Sequence, residues 1–421
     1  MDNASLAFTA VFCAALIGGL VLKTWLASRQ IRHVALHRGA VPSPFAEVVT
    51  LHAHHKAADY TIAKARFGLL TSAVEAALLL GWTLLGGLHW LNQVLLDWLG
   101  GGMVQQLALI GAFAFIGGLL TLPLEWWSSF RIEERFGFNR MSLGLWLGDL
   151  VKGALVGVLV GLPIVALVLW LMGTAGPVWW LWAWGVWMGF NLLMLLLYPT
   201  LIAPLFNKFE PLEDETLKAR VTALMQRCGF AAKGLFVMDG SKRSAHANAY
   251  FTGFGAAKRV VFFDTLLKQL DPAEVDAVLA HELGHYKRRH ILQRLVLMFA
   301  LSLAGFALLG WMSGQAWFYT GLGVQPAMDA PNNALALLLF VMVVPLFTYF
   351  LQPLMAQLSR KHEFEADAYA VTQTSGAHLA NALLKLYKDN ASTLTPDPVF
   401  ARFYYSHPPA SERLQRLTAA A

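Results

Sequence analysis

Hydrophobic positions in this chain gather into long runs separated by short polar connections. The runs at 5–22, 67–88, 103–124, 153–172, 178–198, 295–312 and 334–351 come close to or pass the roughly 20 residues needed to cross about 30 Å of hydrocarbon, so the pattern predicts seven membrane-spanning helices. Pro123, Pro163 and Pro345 fall inside three of them and predict kinks that would let the helices bow apart. The polar positions concentrate elsewhere, mostly in 199–290 and 353–421, with the last two spans, 291–352, between these blocks.

The first block changes period several times. Leu212 to Cys228 has helical apolar spacing, and Gly234 to Val237 reads as a short strand. His246 to Thr252 and Arg259 to Phe263 read as two strands flanking a Gly253-Phe254-Gly255 turn. Asp271-Pro272-Ala273-Glu274 then has the form of a helix start, with Asp271 as cap, proline at the first helical position and a glutamate three residues after the cap. The expected fold is an all-α membrane protein dominated by seven transmembrane helices, carrying a small α+β domain in residues 199–290 that 353–421 completes.

Composition strengthens the membrane reading. Of 421 residues, 57% are hydrophobic and 14% charged, against about half and a quarter in soluble domains; mean hydropathy is +0.52. The net charge of +6 raises the question of nucleic acid, but its distribution answers it. The N-terminal tail and the connections 89–102, 173–177 and 313–333 contain no Lys or Arg, so all 32 basic residues fall on one side of the membrane or at its edge. The positive-inside rule makes that side cytoplasmic, with the N-terminus outside and the C-terminus inside. A topological charge bias leaves no nucleic-acid footprint to explain. The first span follows Met1-Asp2-Asn3 and precedes Lys23, the reverse of a cleaved signal peptide, and reads as a retained anchor. Cys13 and Cys228 are too few and too far apart for a disulfide framework or a cysteine-type metal site.

The chemistry is carried by His281-Glu282-Leu283-Gly284-His285. Residues four apart share a helix face, so both imidazoles can reach one zinc ion, while Glu282 can take a proton from the attacking water. Two histidines leave a catalytic zinc one protein ligand short. Glu363-Phe364-Glu365-Ala366-Asp367, just after the seventh span, supplies candidates: Glu363 and Asp367 share a face and Glu365 points away. Glu363 then becomes the third ligand, and Asp367 an acceptor for the other nitrogen of a liganding imidazole. Asn248, on a strand that could receive an extended peptide by main-chain pairing, is a candidate substrate contact.

Other features are weaker. His52, His54 and His55 read as a solvated loop rather than a metal site, and Trp179, Trp180, Trp182, Trp184 and Trp187 as an interfacial belt. Asp149 and Lys152 are expected to pair with each other at the start of the fourth span.

The joint pattern resembles the type I CAAX prenyl endopeptidases. The matching stretches are FGFNRMSLGLWLGDLVKG (136–153), LYPTLIAPLFNKFEPL (197–212), GSKRSAHANAYFTGF (240–254), VVFFDTLL (260–267), HELGH (281–285), SRKHEFEADAYA (359–370) and FYYSHPPASERL (403–414). The resemblance implies a gluzincin-type site with zinc on His281, His285 and Glu363, Glu282 as catalytic glutamate and Asp367 in support. It also implies that His407 reaches the substrate or the oxyanion, with Arg413 nearby, and that seven helices ring a large cavity with the zinc at its cytoplasmic side. The implied partners are membrane lipids and a peptide or protein substrate, with an isoprenylated one as the family's kind.

Three rivals stand beside this reading. One is a quality-control protease of the HtpX type, cutting unprenylated membrane proteins. Its appeal is the Ala- and Trp-rich composition and the Ala-Ala-Ala end, which look bacterial and place the chain in an inner membrane. Another is a scaffold with a structural zinc, against which Glu282 argues, since a closed site needs no base. The third, a transporter, is expected to carry a charge inside a span, and none is read there.

Overall fold

The computed structural model describes residues 2–230, 234–252, 259–327 and 330–419; the Gly253-Phe254-Gly255 turn lies outside them. Among the described residues, seven helices are long and apolar enough to cross a membrane: α1 (Asn3–Leu36), α2 (Leu51–Trp82), α3 (Met103–Glu133), α4 (Leu143–Thr174), α5 (Gly176–Phe206), α8 (His290–Met312) and α9 (Asn333–Gln373). All seven expected runs lie largely within them. Most are longer than their apolar runs, because the polar flanks on the basic side continue the helix. Thus α1 runs on to Leu36, where Arg29 and Gln30 grip Asp397 of the C-terminal region. The histidines at 52, 54 and 55 are likewise in the first turns of α2, not in a loop. Thr50 caps that helix by accepting from Ala53 N, and His54 is buried with its Nε2 on the His37 carbonyl.

The prolines act unequally. Helix α4 runs unbroken through Pro163, whereas α3 widens into a π-helical segment, Ser128–Glu133, one turn after Pro123. After Pro345, α9 tightens into a 3-10 turn at Tyr349–Leu351 before resuming its α-helical course.

Apolar side chains cluster at the two ends of the molecule. At the end opposite the HELGH helix, Phe12, Leu88, Leu109, Leu169, Phe318 and Leu339 belong to one buried cluster. At the other end, a second cluster joins the sheet and the helices of the polar blocks. The spans are unequally buried: 33% of the most apolar stretch of α9 is buried, but only 6% of that of α2 or α3. Open space lies between α1, α2 and the polar blocks, where residues from Lys23 to Gln30 and from Tyr60 to Ser72 line one large cavity.

The polar blocks form a four-stranded sheet with order β1-β2-β4-β3, from β1 (Phe209–Pro211), β2 (Gly234–Met238), β3 (Ala249–Thr252) and β4 (Arg259–Phe263). Strands β2 and β4 are parallel and the other pairs antiparallel. Short β3 pairs through Phe251↔Val260 and Thr252↔Arg259 and forms one edge of the sheet. Packed with the sheet in one apolar cluster are α6 (Glu215–Arg227), α7 (Pro272–Lys287), α10 (Gly376–Asp389) and α12 (Ala410–Ala419), whereas α11 (Pro398–Tyr404) packs on α9 and α1. The start of α7 is built as its sequence implies: Asp271 N donates to the Glu274 carboxylate, and Lys385 of α10 bridges both acids.

Two expectations are corrected. Asp149 does not pair with Lys152; it accepts two hydrogen bonds from Arg243 Nε and Nη2, at 2.8 and 3.0 Å, while Lys152 donates to the Leu205 carbonyl. The planar guanidinium fork matches a carboxylate in a way one ammonium cannot. Nor are the spans free of internal charge. Glu75 lies inside the 67–88 run and lines a crevice of about 420 Å3 with Lys23, Ser72, Tyr349 and Gln352. Facing such polar neighbours spares it from lipid.

Candidate metal centre

Helix α7 carries the two histidines, and α9 crosses it in the most extensive helix–helix contact among the described residues. The crossing depends on Gly284. A Cβ there would lie 2.9 Å from Ala366 Cα, so only glycine lets the two backbones approach this closely. The extended α9, running from the seventh span into the polar block, thereby sets Glu363 opposite His281 and His285.

The three converge. His281 Nε2 lies 3.3 Å from His285 Nε2 and 3.5 Å from Glu363 Oε2, and His285 Nε2 lies 3.4 Å from Glu363 Oε1. Their donor atoms all fall within 4.8 Å of one another, the arrangement of a metal-ligand set. Glu363 Oε2 is buried and forms no hydrogen bond, an uncommon state for a carboxylate oxygen unless a cation completes it. Two imidazoles and a carboxylate thus fit one divalent ion.

Behind the ligands stands a buried ion pair. His281 Nδ1 donates to Asp367 Oδ1 at 2.8 Å, and Arg413 Nε donates to Asp367 Oδ2 at 2.8 Å. This leaves His281 Nε2 free for a metal. Arg413 is 5% exposed, and its Nη1 is 3.8 Å from Glu363 Oε2. Its charge is therefore largely taken up by Asp367 and Glu363. Burial opposes charge on His281, but Asp367 and Glu363 outweigh it and push its pKa up to about 9 in the metal-free protein. Burial raises the Glu282 carboxyl as well, towards the basicity a proton acceptor needs near neutral pH.

His407 enters from the segment before α12. Its side chain is 63% exposed, with Nε2 3.5 Å from Glu363 Oε1 and Nδ1 3.0 Å from Ser406 Oγ. The next residue is tied down by Tyr387, whose hydroxyl donates to the Pro408 carbonyl. His407, Arg413 and Asn248 all line a cavity of about 1100 Å3, whose far wall includes Lys23 and Lys64 of the first two spans. Asn248 is exposed just ahead of β3; its side-chain oxygen accepts from Ala249 N. All eight expected site residues therefore gather around the metal centre and this cavity.

Sequence reasoning missed two groups. His290, five residues after His285, places Nδ1 3.0 Å from His285 Nδ1 and Nε2 2.9 Å from Glu365 Oε2. On the cavity wall, Tyr60 donates to Glu133 at 2.6 Å, and His246, stacked on Phe138, reaches both Glu133 and Asn390. The histidine after HELGH was a signal available in the sequence. The second group joins four distant segments and left none.

Comparison with known proteins agrees with this geometry. Residues 30–208 match the family model described as CAAX prenyl protease N-terminal, five membrane helices, and residues 211–421 match peptidase family M48. A rice (Oryza sativa subsp. japonica) protein named CAAX prenyl protease 1 homolog is 32% identical, over 95% of each chain. The Saccharomyces cerevisiae CAAX prenyl protease 1 is 31% identical over 99% of this chain and 96% of its own. The crystal structure of S. mikatae Ste24p superposes with a TM-score of 0.91 at 30% identity, covering 99% of both chains.

Proposed function

This chain belongs to the CAAX prenyl protease 1 branch of peptidase family M48, a multi-pass membrane metallopeptidase, and from that premise we propose that its metal is zinc and its substrates isoprenylated C-termini. One observation carries the zinc assignment. Ligand atoms about 2.1 Å from a tetrahedral zinc stand about 3.4 Å apart; the two imidazole nitrogens here are 3.3 Å apart, and the Glu363 carboxylate bestrides them, with Oε2 3.5 Å from His281 Nε2 and Oε1 3.4 Å from His285 Nε2.

When bound by His281, His285 and Glu363, zinc supplies a Lewis acid that polarises the scissile carbonyl and acidifies water. The chain does the rest. Glu282 accepts the proton of the attacking water and returns it to the leaving amine. His407, open to the cavity beside Glu363, donates to the oxyanion as it forms. Asp367 fixes the His281 tautomer, and Arg413 holds Asp367 and Glu363 in place. Asn248 and the edge of β3 receive the peptide backbone by strand addition.

The cavity supports the lipid-bearing part of the proposal. It runs from the catalytic residues to Gly68, Leu69 and Ser72 of α2, inside the second span, so a peptide at the site has an apolar route for an attached chain. The named function of the relatives points the same way. The distribution of Lys and Arg supports an N-terminus outside and a C-terminus and active site in the cytoplasm. Composition favours a bacterial inner membrane; the relatives named above, from rice and yeast, do not bear on it. In this reading, 1–198 and 291–352 form the membrane ring, and 199–290 with 353–421 the peptidase domain. The family matches break a little later, between residues 208 and 211, just past the end of α5 at Phe206.

The test compares one peptide with and without a farnesyl group on the purified, zinc-loaded protein. Faster release of the C-terminal tripeptide from the farnesylated form supports the assignment. Preference for unprenylated, unfolded membrane proteins favours the quality-control reading instead.

A further inference from the structure

The two histidines of the metal centre are supported differently. His281 Nδ1 meets a carboxylate directly, that of Asp367, but His285 Nδ1 meets another imidazole. We propose that His290 and Glu365 form a positioning relay that fixes the tautomer and orientation of His285, doing through two residues what Asp367 does alone for His281.

Proton placement follows from the contacts. His285 turns Nε2 toward His281 and Glu363, so a metal ligand must use that nitrogen unprotonated. Its proton then sits on Nδ1, and the only role left for His290 Nδ1, 3.0 Å away, is acceptor. Hence His290 carries its proton on Nε2 and donates it to Glu365 Oε2 at 2.9 Å. Each step is fixed by the one before. The chain ends on a carboxylate that is 37% exposed, so the ligand is coupled to an acid at the protein surface.

The fold holds His290 firmly for this purpose. Its ring is 1% exposed and stacks on His362 at 4.0 Å with planes 8° apart, while His362 Nε2 bonds to Gln293. The turn that brings His290 back over His285 places Arg289 at φ 58°, a left-handed conformation that is strained for a residue other than glycine. Such strain persists where surrounding contacts impose it. Glu365, which faces away from Glu363 and Asp367 on α9, thereby gains a task.

The inference rests on the zinc assignment and is tested by zinc affinity, which needs no substrate. Zinc dissociation constants would be measured by chelator competition for wild type, Glu365→Ala, Glu365→Gln and His290→Phe, beside the melting temperature of each metal-free protein. Loss of an outer hydrogen-bond partner weakens metal binding by about 10–100-fold. That range is expected for His290→Phe, which retains the stack on His362 but offers His285 no acceptor. Glu365→Ala should weaken zinc about tenfold, and Glu365→Gln less, since its amide oxygen still accepts from His290. Metal-free melting should stay unchanged in the Glu365 variants, and the visible spectrum of the cobalt(II)-loaded His290→Phe protein should shift. Should His290→Phe fail to fold, the exposed Glu365 variants decide. Affinities in both within twofold of wild type overturn the relay alone; a wild type that binds no zinc overturns the assignment and the relay together.

Discussion

Gly284 and Ala366 touch where the two metal-bearing helices cross: a Cβ on Gly284 would stand 2.9 Å from Ala366 Cα and 3.0 Å from its carbonyl oxygen. These are backbone atoms, which cannot swing aside. Gly284→Ala should therefore push α7 from α9 and part His281 and His285 from Glu363. Overpacking of this kind costs about 1–3 kcal/mol. Thermal melting of the metal-free protein should fall and zinc affinity with it; an unchanged melting temperature would show that the helices can separate freely.

Asp367 answers to two cations at once. Asp367→Ala strands the buried Arg413 charge and removes the acceptor for His281 Nδ1–H. Breaking one side of a buried pair costs about 3–5 kcal/mol. Asp367→Asn keeps an acceptor for one partner and should fall between Ala and wild type. Urea unfolding of the three proteins gives the order directly.

His407 should matter to turnover rather than to the metal. It is exposed on the cavity side of Glu363, outside the His281, His285 and Glu363 cluster proposed to hold the metal. Loss of an oxyanion donor typically lowers kcat about 10²–10³-fold. For His407→Ala we expect a fall in kcat within that range, with KM and zinc content close to wild type. A variant that loses zinc instead would place His407 among the ligands.

Metal uptake should depend on pH with a definite sign. The metal-free protein keeps a proton on His281 up to about pH 9, because Asp367 and Glu363 outweigh the burial that opposes it. Zinc must displace that proton, so below this value its apparent association constant should rise about tenfold per pH unit, then level off. Metal-free stability runs the other way. A folded-state value above the unfolded one adds stability in full below the ordinary histidine value, and that is lost as pH rises through about 9. Chelator competition and denaturant unfolding over the same pH series check both limbs.

Much of this architecture was legible because its signals are local. A run of apolar residues announces a span wherever it is, and Asp271-Pro272-Ala273-Glu274 caps α7 by contacts within four residues. HELGH and the 363–367 acids likewise needed only helical spacing. What the chain hid is non-local or polar. Arg243 is 94 residues from Asp149, and Lys152, much nearer in sequence, looked the better partner. Glu75 was overlooked inside an apolar run because hydropathy averages single charges away. His52, His54 and His55 carry no apolar period that marks a helix, and only the Thr50 cap signals one. His290 needed a strained turn at Arg289 to come near His285, and no periodicity reports a left-handed residue.

The central claim is that Glu282 moves the proton in a zinc-dependent cleavage. Mass spectrometry of a farnesylated CAAX peptide, incubated with zinc-loaded wild type or Glu282→Gln, tests it most directly. Wild type should release the C-terminal tripeptide, and Glu282→Gln almost none despite equal zinc content. Equal cleavage by both proteins would contradict it.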